Sequence, residues 1–239
     1  MNALLEVRDL SVGYGRLVPV VHGVDLTLRA GEILGLVGMN GAGKTTLMRA
    51  LSGALRPRRG EITFDGAPLA GRSTAELARA GLVLLPEGHR TLKRLTVREN
   101  LEISTMRLGR GAVNARLTET MGLIHDLFPV LAERRDQLAG LLSGGEQQML
   151  SLARAIVQGP KVLLLDEPSL GLAPKVIDRI YESLGALREQ GIAMLVVEQN
   201  SQRVAASCDR LVVLREGVVV AEGLPSEITG ESLNAAYFG

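Results

Sequence analysis

The chain has 239 residues, 27 lysines and arginines against 26 aspartates and glutamates, one cysteine and no tryptophan. That length holds one large domain or two small ones, and 46% hydrophobic with 22% charged residues excludes general disorder. A net charge of +1 gives no bulk electrostatic case for nucleic acid, and the lone Cys208 cannot close an internal disulfide, which fits a reducing compartment.

Residues 1–10 carry Glu6, Arg8 and Asp9 and lack the apolar stretch of a secretory signal. The apolar runs Val162–Leu165 and Ala193–Val197 are far short of the ~20 residues a membrane-spanning helix needs. A soluble chain is expected, one that reaches a membrane only through a partner.

In chain order, Leu4–Val7, Val24–Leu28 and Glu61–Phe64 are predicted strands with alternating faces, and Asp65-Gly66 a tight hairpin turn. Ile33–Val37 is a continuous apolar run, hence a buried strand, followed by a predicted helix at Thr45–Ser52. Leu82–Leu85 is another buried strand, ended by Pro86. From Glu87 to Leu142 strand signals vanish and Leu and charged residues mix at helical spacing, which predicts a helical insertion. Helices are expected at Glu146–Gln158 and Lys175–Gln190, strands at Val162–Leu165 and Ala193–Val197. Leu211–Leu214 and Val218–Ala221 should form a hairpin around a three-residue turn, Arg215-Glu216-Gly217. The expected class is α/β.

Gly38-Met39-Asn40-Gly41-Ala42-Gly43-Lys44-Thr45 fits G-x-x-x-x-G-K-[ST], after a buried strand and before a helix. Such glycines let successive backbone N–H groups turn inward around phosphate oxygens, and the helix N-terminus adds positive potential. Lys44 suits the β- and γ-phosphates, and the Thr45 hydroxyl suits Mg²⁺. Thr46, next in line, joins the nucleotide-binding set.

Val162-Leu163-Leu164-Leu165-Asp166-Glu167 delivers two carboxylates to the C-terminal end of a buried strand, where ligands bind in open α/β sheets. Asp166 suits the Mg²⁺ shell, and Glu167 is placed to take a proton from an attacking water.

Upstream, Leu142-Ser143-Gly144-Gly145-Glu146-Gln147-Gln148 offers a second anion-binding helix start, an N-cap hydroxyl with free N–H groups. This stretch resembles the signature motif of ATP-binding-cassette (ABC) ATPases, and the resemblance covers the chain from Leu4 to about Gly230. It implies a P-loop NTPase (RecA-like) core with an antiparallel β subdomain and an α-helical signature subdomain. Within one domain, 1–86 and 151–239 form the nucleotide-binding core and 87–150 the helical part. It also implies that two cassettes pack head to tail, so that Ser143, Gly144, Gly145 and Glu146 complete the site of the partner. Tyr14 matches the aromatic that stacks on adenine. Ala173, in Leu170-Gly171-Leu172-Ala173, stands where the family usually has Asp.

Two further positions depart from the family. Glu87 stands where a Gln usually senses Mg²⁺ and the γ-phosphate, and Gln199 where a His usually contacts the γ-phosphate. Glu87 can ligate Mg²⁺ but adds negative charge beside the triphosphate. Gln199 can donate an amide N–H but cannot become cationic. Slow hydrolysis at this chain's own site is the expectation.

Pro86-Glu87-Gly88, Arg94–Leu101, Glu167–Pro174 and Val197-Glu198-Gln199-Asn200 together resemble the shorter ATPase subunit of branched-chain amino-acid importers. That resemblance implies ATP and Mg²⁺, a second cassette (the same chain or another), two membrane permeases, indirectly a periplasmic binding protein, and a peripheral place on the inner face of the membrane. The permease contact is expected between Glu87 and about Asn100. A urea or short-amide importer subunit is closely similar. An export cassette is disfavoured by the fingerprint, and a nucleic-acid or ribosomal ATPase by the neutral charge and the absence of a long coiled-coil insertion or second cassette. His22, His89 and His125 show no ligand spacing, so no zinc site is expected. Arg56, Arg58 and Arg59 form a basic cluster of the kind found in solvated turns.

Overall fold

Two antiparallel strands open the fold: β1 (Ala3–Val12) and β2 (Val21–Arg29) pair along their length, with Leu5, Val7, Leu10 and Val12 buried on one side. These positions come from the computed structural model, which describes residues 3–15, 18–88, 90–106 and 120–228. β3 (Ile33–Val37) is buried throughout and leads through residues 38–43 into α1 (Lys44–Leu51). β4 (Arg59–Phe64) pairs with β1 and turns into the short β5 (Ala67–Pro68). Asp65 and Gly66, at φ 51° and 74°, make the expected two-residue turn in the left-handed conformation that matches strand twist.

α2 (Thr74–Ala80) is held by a reciprocal cap between Ser73 and Glu76. β6 (Leu82–Leu85) follows, then α3 (Val97–Thr105), whose cap is Thr96 with Glu99. Residues 120–127 are helical (α4), followed by α5 (Pro129–Glu133), a 3₁₀ turn at Ala139–Leu141, and α6 (Gly144–Ile156). The middle of the predicted insertion, 107–119, lies outside the described residues, as does His89. β7 (Val162–Asp166), α7 (Pro174–Glu189), β8 (Ala193–Glu198), α8 (Ser201–Ala205), β9 (Arg210–Arg215) and β10 (Val218–Gly223) complete the description.

The strands form a four-stranded antiparallel sheet, β2-β1-β4-β5, and a six-stranded sheet, β10-β9-β3-β8-β7-β6. In the second sheet β9, β3, β8, β7 and β6 are parallel and only the edge strand β10 runs antiparallel. Alternation along these strands sorts the core into two halves. Leu34, Leu36, Leu164, Leu195 and Val212 face α1 and the antiparallel sheet. Ile33, Val37, Leu163, Leu165, Met194 and Val213 face the helices of the 97–187 region. The six-stranded sheet is therefore covered on both faces, as buried parallel strands require.

The structure differs from two of the sequence expectations. The β9–β10 turn has two residues, because Arg215 pairs with Val218 and Glu216 and Gly217 both take positive φ, 47° and 81°. The signature helix begins at Gly144, since Ser143 supplies its cap, and ends at Ile156. The structure also adds α2, α8 and β5, whose seven, five and two residues are too few to show a periodic stripe.

Candidate functional site: a phosphate-binding cleft

Four parallel strands end at one rim of the sheet and set the site. β3 runs into the glycine loop, β6 points toward Glu87, β7 ends on Asp166, and β8 ends just before Gln199. Asn40, Lys44, Thr45, Glu87, Glu167 and Gln199 line a cleft of about 400 Å³ there.

The glycine loop owes its shape to close approach. A Cβ on Gly38 would lie 2.3 Å from the Leu214 carbonyl oxygen, and Gly43 caps α1 at φ 103°. The loop is also braced from the far end of the chain. The Gly217 N–H donates to the Ala42 carbonyl (2.9 Å), while the Gly217 carbonyl accepts from the His22 N–H (2.8 Å). Lys44 is buried, with Nζ donating to the carbonyls of Gly38 (2.7 Å) and Met39 (3.1 Å). Burial lowers its pKa, opposed by the carboxylates of Glu167, Asp166 and Glu198. No acidic residue occupies the first turn of α1, so the positive helix terminus is left for a ligand.

Asp166 is 5% exposed, and its Oδ1 has no hydrogen-bond partner among the described residues. Burial raises its pKa, a hydrogen bond from Thr45 lowers it, and Glu167 and Glu87 raise it further. A buried carboxylate oxygen without a donor, beside a hydroxyl and over a phosphate-type loop, fits a divalent cation held partly by substrate phosphates. Among the described residues no cluster of three or more His, Cys, Asp and Glu could hold a metal unaided.

Glu167 has φ 50°, an uncommon conformation for a residue with a side chain, and its N–H donates to the Val197 carbonyl at 2.9 Å. Gln199 Nε2 donates to Asn40 Oδ1 (2.8 Å) and to both Glu167 oxygens (3.3 Å each). The structure thus brings Asn40, Lys44, Thr45, Asp166, Glu167, Gln199 and Glu87 to one place.

Tyr14 stands beside that place rather than in it. Its hydroxyl accepts from Arg49 Nη1 (2.9 Å) and Thr46 Oγ1 (3.4 Å), and the Arg49 guanidinium lies 5.9 Å from the ring centroid. Arg58 donates to the carbonyls of Tyr14 and Gly15, and Arg59 pairs with Asp9, so two arginines of the basic cluster have structural partners. Ser143, Gly144, Gly145 and Glu146 do not line the cleft. The Ser143 hydroxyl accepts from the Glu146 N–H, Glu146 accepts from the Ser143 N–H (2.8 Å) and pairs with Arg134 (3.3 Å), and Gly145 sits against Val176.

Sequence reasoning passed over Glu198, a carboxylate only 3% exposed that accepts from the Ser169 N–H (3.1 Å) and the Tyr181 hydroxyl (3.2 Å). The available signal was a Glu closing an otherwise apolar strand, Ala193–Val197. Gln148, inside the signature helix, was likewise not singled out; its Nε2 donates to the Pro168 carbonyl at 3.0 Å.

A strand–loop–helix phosphate cradle beside an acidic strand end defines a P-loop nucleotide hydrolase. A family model described as ABC transporter matches residues 21–170. Over 237 residues, 99% of this chain and all of the other, the chain is 38% identical to the high-affinity branched-chain amino acid transport ATP-binding protein BraG of Pseudomonas aeruginosa. Among solved structures, an ATP binding subunit of an ABC transporter superposes with a TM-score of 0.85 at 30% identity, covering 98% of this chain and 97% of that one. The ADP conformation of MJ1267, an ATP-binding cassette of an ABC transporter, gives 0.85 at 28% identity, with 99% and 95% covered. The chain belongs to the ABC transporter family, as one of its ATPase cassettes. Among the described residues no helix is long and apolar enough to cross a membrane.

Proposed function

We propose that this chain binds and hydrolyses ATP to drive uptake of branched-chain amino acids through separate membrane permeases. The observation that carries the chemistry is the convergence of Lys44, Thr45, Asp166, Glu167 and Gln199 on one cleft. The solute class rests on the full-length likeness to the branched-chain amino acid protein of P. aeruginosa, together with the subfamily resemblance carried by Glu87 and Gln199.

In this reading the backbone N–H groups of residues 38–45 and Lys44 Nζ hold the phosphates. Thr45, Asp166 and Glu87 are the side chains that would hold Mg²⁺. Bound there, Mg²⁺ neutralises phosphate charge. Glu167 takes the proton of the attacking water, and Gln199, already bonded to it, keeps its carboxylate turned into the cleft. Ser143 and Gly145, away from the cleft, complete the site of a second cassette, the same chain or another. Tyr14 receives adenine after leaving Arg49.

The helical part, 87–150, carries motion to the permeases. Support comes from how stiffly the segment after Glu87 is held. Buried Asn100 accepts from the Leu92 N–H (2.8 Å) and donates to the carbonyls of Leu92 (3.1 Å) and Thr96 (2.9 Å). Arg154 of α6 donates to the Arg90 carbonyl and to Ser104 (3.0 Å). The chain then sits peripherally on the inner membrane face, served by a periplasmic binding protein.

Co-purification in detergent with two permeases and a second cassette, followed by ATP-driven uptake of leucine, isoleucine and valine into proteoliposomes, tests the reading. Uptake of urea or short amides alone would replace the solute class, and recovery with ribosomes or DNA would overturn transport.

A further inference from the structure

Glu198 has no part in the chemistry so far, yet it is the carboxylate most completely enclosed beside it. It ends β8, one residue before Gln199. Its Oε1 accepts from the Ser169 N–H at 3.1 Å and the Tyr181 hydroxyl at 3.2 Å, and the Ser169 side chain bonds it as well. Tyr181 belongs to α7, and Ser169 lies two residues beyond Glu167 in the connection from β7 to α7.

That connection is gripped from two sides. Gln148, reaching from α6, donates to the Pro168 carbonyl at 3.0 Å, and Glu198 takes the very next N–H. Glu167 itself hangs by its N–H from the Val197 carbonyl, the residue preceding Glu198. The strained φ of Glu167 needs outside constraint to persist. Three neighbouring anchors, on Glu167, Pro168 and Ser169, supply it. A buried carboxylate is costly unless its oxygens are hydrogen-bonded, so Glu198 stays where its donors are. Burial raises the pKa of the Tyr181 phenol, aided by Glu198, which keeps that group a donor.

We propose that Glu198 is a positioning residue for hydrolysis: by holding Ser169 and Tyr181 it fixes the backbone that aims Glu167 at the cleft and at Gln199. The inference rests on Glu167 acting as the base.

The test is single-turnover hydrolysis by the full chain, in excess over Mg·ATP, with nucleotide affinity measured separately by a fluorescent ATP analogue. Glu198→Ala should lower the hydrolysis rate about tenfold or more while affinity stays within about threefold, since misplacement by an ångström costs rate rather than binding. Glu198→Gln, whose carbonyl oxygen can accept the same two bonds, should recover most of the rate. Equal losses of rate and affinity, an unchanged rate in Glu198→Ala, or a Gln variant as slow as the Ala variant would overturn the proposal. Should Glu198→Ala fail to fold, Tyr181→Phe removes one bond from an intact core and should show the same split more weakly; an unchanged rate there also overturns it. Glu167→Gln run in parallel separates the two ideas, because hydrolysis persisting in that variant would remove Glu167 as the base independently of Glu198.

Discussion

The side-chain amide of Gln199 donates to both carboxylate oxygens of Glu167, each at 3.3 Å, and to Asn40 Oδ1 at 2.8 Å. The carboxylate proposed to activate water is thus restrained by a neutral donor, which gives orientation but no positive charge for a γ-phosphate. Glu87 on the same cleft adds a negative charge. Gln199→His and Glu87→Gln should each raise single-site turnover by about 3–10-fold, a fraction of what one well-placed donor contributes in a hydrolytic site. Single-turnover rates at saturating Mg·ATP are the measurement, and unchanged rates would sink the explanation.

Removing the proposed base should act in the opposite direction. Glu167→Gln keeps the shape and the Gln199 contact but cannot take a proton. Hydrolysis should fall by roughly 10²–10⁴-fold, with nucleotide affinity preserved to within a few-fold. A parallel fall in affinity would mean that the residue binds nucleotide and does not activate water.

Gly38 and Gly185 separate two uses of glycine. A Cβ at Gly38 would strike the Leu214 carbonyl at 2.3 Å, while one at Gly185, inside α7, meets nothing within 4 Å. Gly38→Ala should cost roughly 2–3 kcal/mol through overpacking, lowering Tm by about 5–10 °C. Gly185→Ala should raise stability by up to about 1 kcal/mol through helix propensity. Thermal unfolding without nucleotide checks both, and equal shifts would refute the distinction.

Cys208 should be inert. Burial pushes its thiol up to about 11, with a hydrogen bond to the Gly35 backbone opposing the shift, and reaction requires thiolate. Alkylation at pH 7.5 should run at least about tenfold slower in the folded protein than in urea. The raised value favours the protonated thiol on folding. Its stabilising contribution is therefore complete below the ordinary thiol value and fades as pH climbs from there toward 11. Rapid alkylation of native protein would contradict this.

The fold was readable where burial and period reinforce each other. Ile33–Val37, Val162–Leu165 and Ala193–Val197 are too short for core helices and read as buried strands, and once parallel they bring the glycine loop and Asp166-Glu167 to one rim of the sheet. What escaped lies between strands. Nothing local announces that Glu198 meets Ser169, 29 positions away, or that Gln148 reaches Pro168. Tyr14 stands out in the sequence, but its seat against Arg49 depends on α1 packing beside β1. Short helices such as α8 are set by a cap, here Asn200, and leave too little sequence for a pattern.

The brace that Gly217 places under Ala42 divides the cradle between two distant stretches of chain. The family match spans residues 21–170 and so contains every residue of the glycine loop but none of its support from 210–223. A fragment cut to that match would carry the motif intact and lose the hairpin that shapes it, along with β8 and Gln199. The shape of this cassette's cradle is therefore held by chain that runs as far as Gly217, well beyond the residues that spell its motif.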